Sequence, residues 1–279
     1  MRSATPTRID LTRSISDLPF VVFTCRGCPA DYATKILLAD IGIAIPRINI
    51  SMGLIIFDCD GVLVDSEPIA HGLLAQMMTD LGHPMTTAES VEKFTGRSLA
   101  DTVPLVEGVL GRSIPDQIAQ HYSRLLLERL RRDLRPIAGV KEAVAMLRYP
   151  RCVASSSSLE RIHLSLEVTG LAALFGSNIF SATQVTHGKP APDLYLFAAR
   201  TMAVAPEDCV VIEDSAFGVT AGCAAGMNVI GFTGGAHAIG DAARHLAAAG
   251  AYPIISSMAE LPAAVERLMS CVESPRQPR

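Results

Sequence analysis

The sequence predicts an α/β chain: a doubly wound parallel sheet with a helical domain inserted behind its first strand. Two observations predict it. Short apolar runs at 53–57, 151–154 and 209–212 each stop abruptly at polar groups, and helix-like segments separate the runs from 139 onward. Alternation of that kind argues for a parallel sheet wrapped by helices. Between 66 and about 136 the apolar spacing is helical and strand signals are lacking, so that stretch is expected to form a helical unit of its own.

Gly53-Leu54-Ile55-Ile56-Phe57 is continuously apolar, as a strand buried on both faces must be. Asp58-Cys59-Asp60-Gly61 closes it, with a glycine placed for a tight turn. From Ala70 to Leu81, apolar residues recur at 70, 73, 74, 77, 78 and 81, and Gly82 ends that helix. A second helix over 119–134 carries Tyr122, Leu125, Leu126, Leu130 and Leu134, and Pro136-Ile137-Ala138-Gly139 punctuates the return. The order expected next is helix 140–147, strand 151–154, helix 159–168, strand 178–180, helix 191–203, strand 209–212, helix 216–225 and strand 227–232. A last helix over 261–269 should cover the sheet. The expected organisation is thus an extension over 1–51, a core from 52–65 and 137–270, a helical insert over 66–136 and a tail over 271–279.

Residues 1–51 read differently from the rest. They are expected to be a disordered extension or a mis-called start, with Met52 at the place where the start would fall. Asp40 interrupts the only apolar stretch there, which makes a poor signal peptide. Cys25-Arg26-Gly27-Cys28 is a lone pair of thiols, and a zinc site would need a second pair.

The polar groups that end the apolar runs carry the chemistry. A buried acid is costly unless it is paired or holds a metal, so Asp58 and Asp60 at one strand end suggest a cation site; the plain alternative is an Asp-Gly turn. Ser155 ends the second run, Lys189 sits in the loop 186–193 before a helix, and Glu213-Asp214 end the third run. In open α/β sheets ligands bind outside the carboxyl ends of the strands, so one crevice would collect all of them. Cys59, between the acids, is not expected to be a nucleophile: strand alternation turns it away from Asp58 and no His partner lies nearby.

Taken in order, Asp58-x-Asp60-Gly61, Ser155, Lys189-Pro190 and Glu213-Asp214 resemble the four motifs of the haloacid dehalogenase superfamily of phosphotransferases. The longer strings 58–66, 188–193 and 212–215 are similar to its β-phosphoglucomutase-like branch, and the likeness runs from about Met52 to about Met269. It implies a Rossmann-like core, a helical cap that shields the phosphoryl group, Mg2+, and a small phosphate ester of a sugar or polyol as substrate. Asp58 is then the nucleophile that forms an aspartyl-phosphate, although the residues alone equally allow a pure metal ligand. Magnesium takes hard oxygen ligands, which by the resemblance are Asp58, Asp214 and the Asp60 carbonyl, with Glu213 bound through water or orienting the shell. The Asp60 side chain is left as general acid and base. Ser155 and Ser156 are matched to phosphate oxygens, or they cap the following helix; Lys189 balances charge. Glu67 and the turn Gly96-Arg97-Ser98 lie on the cap side, where Arg97 is either simply exposed or reads an anionic or polar substrate.

The mutases of this branch carry a His on the first cap helix. The matching position here is Ala70, with His71 one residue off, and their cap Arg falls near Leu99, two residues past Arg97. The expected reaction is therefore hydrolysis, with a phosphosugar mutase as the alternative and a non-catalytic binding protein as the third reading. His71, His163, His187 and His237 are expected on the surface or the cap, with His71 and His187 lining the cleft.

Bulk properties limit the partners. The 279 residues are 49% hydrophobic with a net charge of −4, 5% aromatics and no Trp. Neither a nucleic-acid surface nor a base-stacking platform is expected, and no run of apolar residues is long enough for a membrane helix. The seven cysteines are scattered, two of them in apolar runs, which suits a reducing cytoplasm better than a disulfide framework. A monomer or weak dimer is expected.

Overall fold

The computed structural model describes residues 53–238 and 240–273, together with two short strands ahead of them. Those two, β1 Phe20–Phe23 and β2 Lys35–Leu38, pair antiparallel within a unit of their own. The Cys25/Cys28 pair and the remainder of 1–52 lie outside the described residues.

The central sheet has six parallel strands in the order β5-β4-β3-β6-β7-β8: β3 Leu54–Phe57, β4 Arg151–Ser155, β5 Ile179–Ser181, β6 Cys209–Glu213, β7 Asn228–Phe232 and β8 Ile254–Ile255. The chain runs outward from β3 through β4 to β5, then returns to the other side of β3 at β6. That reversal makes β3 the switch point of a doubly wound sheet, where such folds open a crevice. Register brings the three central strand ends within two residues of one another: Phe57 pairs with Val153 on one side and Ile212 on the other. The residues that follow each strand therefore emerge together.

Side-chain alternation splits the sheet between two cores. Ile55, Phe57, Val153, Val210 and Ile212 join one cluster, packed under helices α5 Val140–Met146, α6 Leu159–Val168, α7 Ala172–Phe175 and α11 Leu261–Glu273. Leu54, Ile56, Cys152, Ala154 and Val211 face the other, under α8 Asp193–Thr201, α9 Ala216–Ala224 and α10 Ala242–Ala249. Both faces are covered, which is why the strands read as unbroken apolar runs. No helix among the described residues is long and apolar enough to cross a membrane.

Between β3 and α5 lies a four-helix insert: α1 Glu67–Asp80, α2 Thr87–Phe94, α3 Leu99–Leu110 and α4 Asp116–Asp133. Its entry and exit are laced together, with Asp65 N donating to Arg135 O and Ile137 N to Leu63 O, both at 3.0 Å. The sequence shows α1 and α4 by their apolar spacing. It also carries the starts of α2 and α3 in Thr86, which forms a reciprocal capping box with Glu89, and in Ser98, which caps through Asp101 N. Helix α8 starts at Asp193, two residues later than expected, and α11 runs four residues past Met269.

Candidate active site

The carboxyl ends of β3, β4 and β6, the 186–193 loop and the turn between α2 and α3 enclose one small crevice. Asp58, Asp60, Ser155, Ser156, Lys189, Glu213, Asp214, Glu67, Gly96 and Arg97 all line it. It opens into a cavity of about 580 Å³ under the insert, walled by Ala70, Leu74, Phe94, Tyr122 and Leu126 among apolar groups and by Glu67, His71, Arg97 and Arg161 among polar ones.

Asp58 follows β3 directly, its N–H donating to Ile212 O at 3.0 Å. Lys189 Nζ stands between two acids, 2.6 Å from Asp58 Oδ1 and 2.6 Å from Glu213 Oε1. Burial pushes the Asp58 carboxyl well up, and the neighbouring Glu213 and Asp214 add to that against the pull of Lys189. Burial works against the Lys189 charge too, but Asp58 and Glu213 outweigh it and hold the ammonium well above its usual range. Asp58 Oδ2 has no hydrogen-bond partner among the described residues.

Glu213 is turned inward. Its Oε1 accepts from Lys189 and from Tyr195 Oη at 3.0 Å; its Oε2 accepts from Asp214 N, Ser215 N and Ser215 Oγ. Both oxygens are spent, so its carboxylate orients Lys189 and the β6–α9 turn and is not offered to a metal. Asp214 points the other way. Burial pushes its carboxyl up to about 7, partly opposed by the nearby His237. His237 Nε2 sits 2.9 Å from Asp214 Oδ2, an ion pair not aligned as a hydrogen bond. His237 is thus a buried partner of the site and not the surface residue expected from sequence. His187, expected in the cleft, is exposed and pairs with Asp193.

Gly61 makes this closeness possible. Its φ is +79°, and a Cβ there would fall 1.8 Å from Asp214 Oδ2. Only glycine takes that turn at that distance.

Asp60 is gripped on both oxygens. Oδ1 accepts from Ser66 Oγ at 2.5 Å and from Arg161 Nη2 at 2.6 Å; Oδ2 accepts from Ser157 Oγ at 2.6 Å and more weakly from Ser155 Oγ at 3.4 Å. Burial pushes this carboxyl up, but Arg161 and the hydroxyls of Ser157 and Ser66 outweigh it and hold it below its usual range. Capping of α6 falls to Ser158, which accepts from Arg161 N, so Ser155 and Ser156 are left to the crevice. Burial lifts the Cys59 thiol well above its ordinary value, in keeping with an inert core group.

Arg161, Ser66, Ser157 and Tyr195 escape the sequence reading as site residues, and His237 is misplaced by it. A signal for Arg161 exists: it is a cation in the first turn of a helix, where the helix dipole disfavours positive charge. Ser66 stands at the N-cap of α1 yet makes no cap bond, its hydroxyl being given to Asp60.

Among the described residues no three His, Cys, Asp or Glu side chains are grouped to hold an ion. Magnesium does not demand three. It is commonly held by one or two carboxylates with waters and substrate phosphate completing the shell. Asp58 and Asp214 with the Asp60 carbonyl are a hard-oxygen set of that kind. The charges agree: the three acids Asp58, Glu213 and Asp214 are paired with two cations, Lys189 and His237, a surplus of negative charge that favours a further cation beside them.

A family model described as haloacid dehalogenase-like hydrolase matches residues 52–226. The chain is 30% identical over 184 residues to the 6-phosphogluconate phosphatase of Escherichia coli K12, covering 66% of this chain and 83% of that protein. A conserved haloacid dehalogenase-like protein of unknown function from Agrobacterium tumefaciens C58 superimposes with a TM-score of 0.69 at 40% identity, covering 78% of this chain and 99% of that one. A putative β-phosphoglucomutase from Thermotoga maritima gives 0.60 at 26% identity, over 77% and 99% of the two chains.

Proposed function

Because this chain belongs to the haloacid dehalogenase-like hydrolases, in their β-phosphoglucomutase-like branch, and is a phosphoric monoester hydrolase, we propose that it releases phosphate from a small phosphorylated sugar or polyol through an aspartyl-phosphate. One observation carries the reading. Asp58 is buried at the switch point with one oxygen fixed by Lys189 and the other unpartnered at the crevice.

In this reading Asp58 attacks phosphorus through its free oxygen and the bond from phosphorus to the alcohol oxygen breaks. Asp60 gives a proton to that departing oxygen, then takes one from the water that hydrolyses the acyl-phosphate. An Asp60 held ionised by Arg161 is in the state required for the second step; for the first it must release Arg161 and take up a proton from solvent, which it then passes to the leaving oxygen. Ser155, Ser156 and Lys189 hold the phosphoryl oxygens and offset their charge. Mg2+ held by Asp58, Asp214 and the Asp60 carbonyl would draw further charge from the phosphoryl group. Glu67, Gly96 and Arg97 face the alcohol portion from the cap; Arg97 lies over the Phe217 ring at 4.4 Å and bridges cap and core. Sugar phosphates as the substrate class rest on the phosphogluconate relative together with the polar groups of the cavity. The free thiols Cys59, Cys152, Cys209 and Cys223 suit a cytoplasmic setting.

The likeness to a putative mutase favours a second reading, phosphoryl return to the sugar. Against it, Ala70 occupies the position of the mutase His, and His71 is bound to Glu67.

Purified protein should release phosphate from small sugar phosphates with Mg2+ and lose that activity in EDTA. Asp58→Asn should abolish turnover with the fold intact. Mass spectrometry of acid-quenched Asp60→Asn during turnover should find phosphate on Asp58; an adduct on another side chain would refute the assignment.

A further inference from the structure

His71 is buried in the wall of the cap cavity and makes three polar side-chain contacts. Its Nε2 lies 2.7 Å from Glu67 Oε2. A carboxylate only accepts, so Nε2 carries the proton. Thr95 Oγ1 is 3.2 Å from the same nitrogen and spends its own proton on Val91 O at 2.7 Å, so it too accepts from His71. The other nitrogen, Nδ1, lies 2.9 Å from Ser90 Oγ, a hydroxyl with no exposure, and the two share a hydrogen bond. One imidazole thus ties the first turn of α1 to α2 and to the residue just before Gly96-Arg97.

The arrangement leaves Glu67 half spent. Oε2 belongs to His71, while Oε1 has no hydrogen-bond partner among the described residues, and Glu67 lines both the phosphoryl crevice and the larger cavity. An acceptor held rigidly at that junction faces whatever is attached to the phosphate. A sugar or polyol offers hydroxyl donors there; a simple aryl phosphate offers none.

We propose that His71 is a positioning residue for substrate selection: through its bonds to Glu67, Ser90 and Thr95 it aims Glu67 Oε1 at a hydroxyl of the leaving group and holds the Arg97 turn in register with it. This rests on the phosphatase reading. It also gives the histidine one residue past the mutase position a role that involves no proton transfer to substrate. Side chains that donate to a carboxylate reduce its freedom to rotate, and a hydrogen bond to a charged group strengthens recognition, so loss of aim should read as weaker discrimination.

The test compares kcat/KM for a favoured sugar phosphate with kcat/KM for p-nitrophenyl phosphate. His71→Leu should lower that ratio about tenfold, mostly through KM for the sugar phosphate, and Glu67→Gln should lower it similarly. His71→Gln, which keeps a donor toward Glu67, should recover most of the ratio, and a double His71→Leu/Glu67→Gln variant should lose little more than either alone. A merely structural histidine would depress both substrates alike and leave the ratio unchanged; that result, or failure of His71→Gln to rescue, overturns the proposal. Absence of phosphate release from either ester by the unaltered protein would overturn the phosphatase reading and this inference with it.

Discussion

Asp58, Asp60, Lys189 and Asp214 are legible in the sequence because each breaks an apolar run or opens a helix, and a buried charge in such a place needs a reason. What the sequence does not give is which charge meets which. Glu213 and Asp214 are neighbours of identical appearance, yet one is consumed by Lys189, Tyr195 and Ser215 while the other faces the crevice. Strand alternation separates them: consecutive residues at a strand end point to opposite sides. Arg161 and His237 come from segments that reach the site only through tertiary folding. The electrostatics of Asp214 give a testable pH dependence. Burial holds its carboxyl near 7 when no metal is bound, and a protonated carboxyl cannot ligate. Below pH 7 the ion must therefore displace a proton, and apparent Mg2+ affinity should fall about tenfold per pH unit as pH drops, levelling off above 7. Calorimetric titration of Mg2+ at pH 6, 7 and 8 checks this; a flat profile would place the titrating group elsewhere.

At the scale of elements, what shows in the sequence is set by burial and length. The strands β3, β4 and β6 are obvious because burial on both faces demands continuous apolar residues. Strand β8 and helix α10 pass unseen: β8 is two residues long, and α10 is an alanine-rich segment with Leu246 as its one large buried side chain. Helix α9 shows how one turn sustains the site. Ser215 caps its start, and Gly218 in its first turn lies against the Glu213 carboxylate, where a Cβ would fall 1.6 Å from Oε1. Gly218→Ala would raise intrinsic helix propensity but expel that carboxylate and strand Lys189 without one of its two acids. We expect a loss of about 3 kcal/mol in stability, as for breaking a buried ion pair, with turnover falling more than tenfold. Gly108→Ala in α3 is the contrast: nothing lies within 4 Å of its Cβ, so the same exchange should stabilise by about 0.5–1 kcal/mol. Thermal unfolding of both variants decides the point, and equal signs would contradict it.

For the molecule as a whole, division of labour between core and insert determines what can be read and what can be predicted. The doubly wound sheet follows from pattern alone, since alternation of strand and helix leaves few topologies. The insert was legible as helical but its cavity was not, because cavity walls are assembled from the faces of α1, α2, α3 and α4, whose mutual angles no local pattern encodes. The reaction should stop at hydrolysis: given β-glucose 1-phosphate and a bisphosphate primer, the protein should yield free phosphate and little glucose 6-phosphate. Coupled assay for glucose 6-phosphate distinguishes the outcomes, and its rapid accumulation would establish a mutase. The paired bonds between Leu63 and Ile137 and between Asp65 and Arg135 carry a different implication. They fasten the two ends of the insert to each other before either reaches the sheet, so the core meets the insert as a single sealed doorway of fixed width. We expect a relative's insert joined at that doorway to carry its substrate preference across as an exchangeable cassette, provided the graft keeps the contact that Arg97 makes with Phe217.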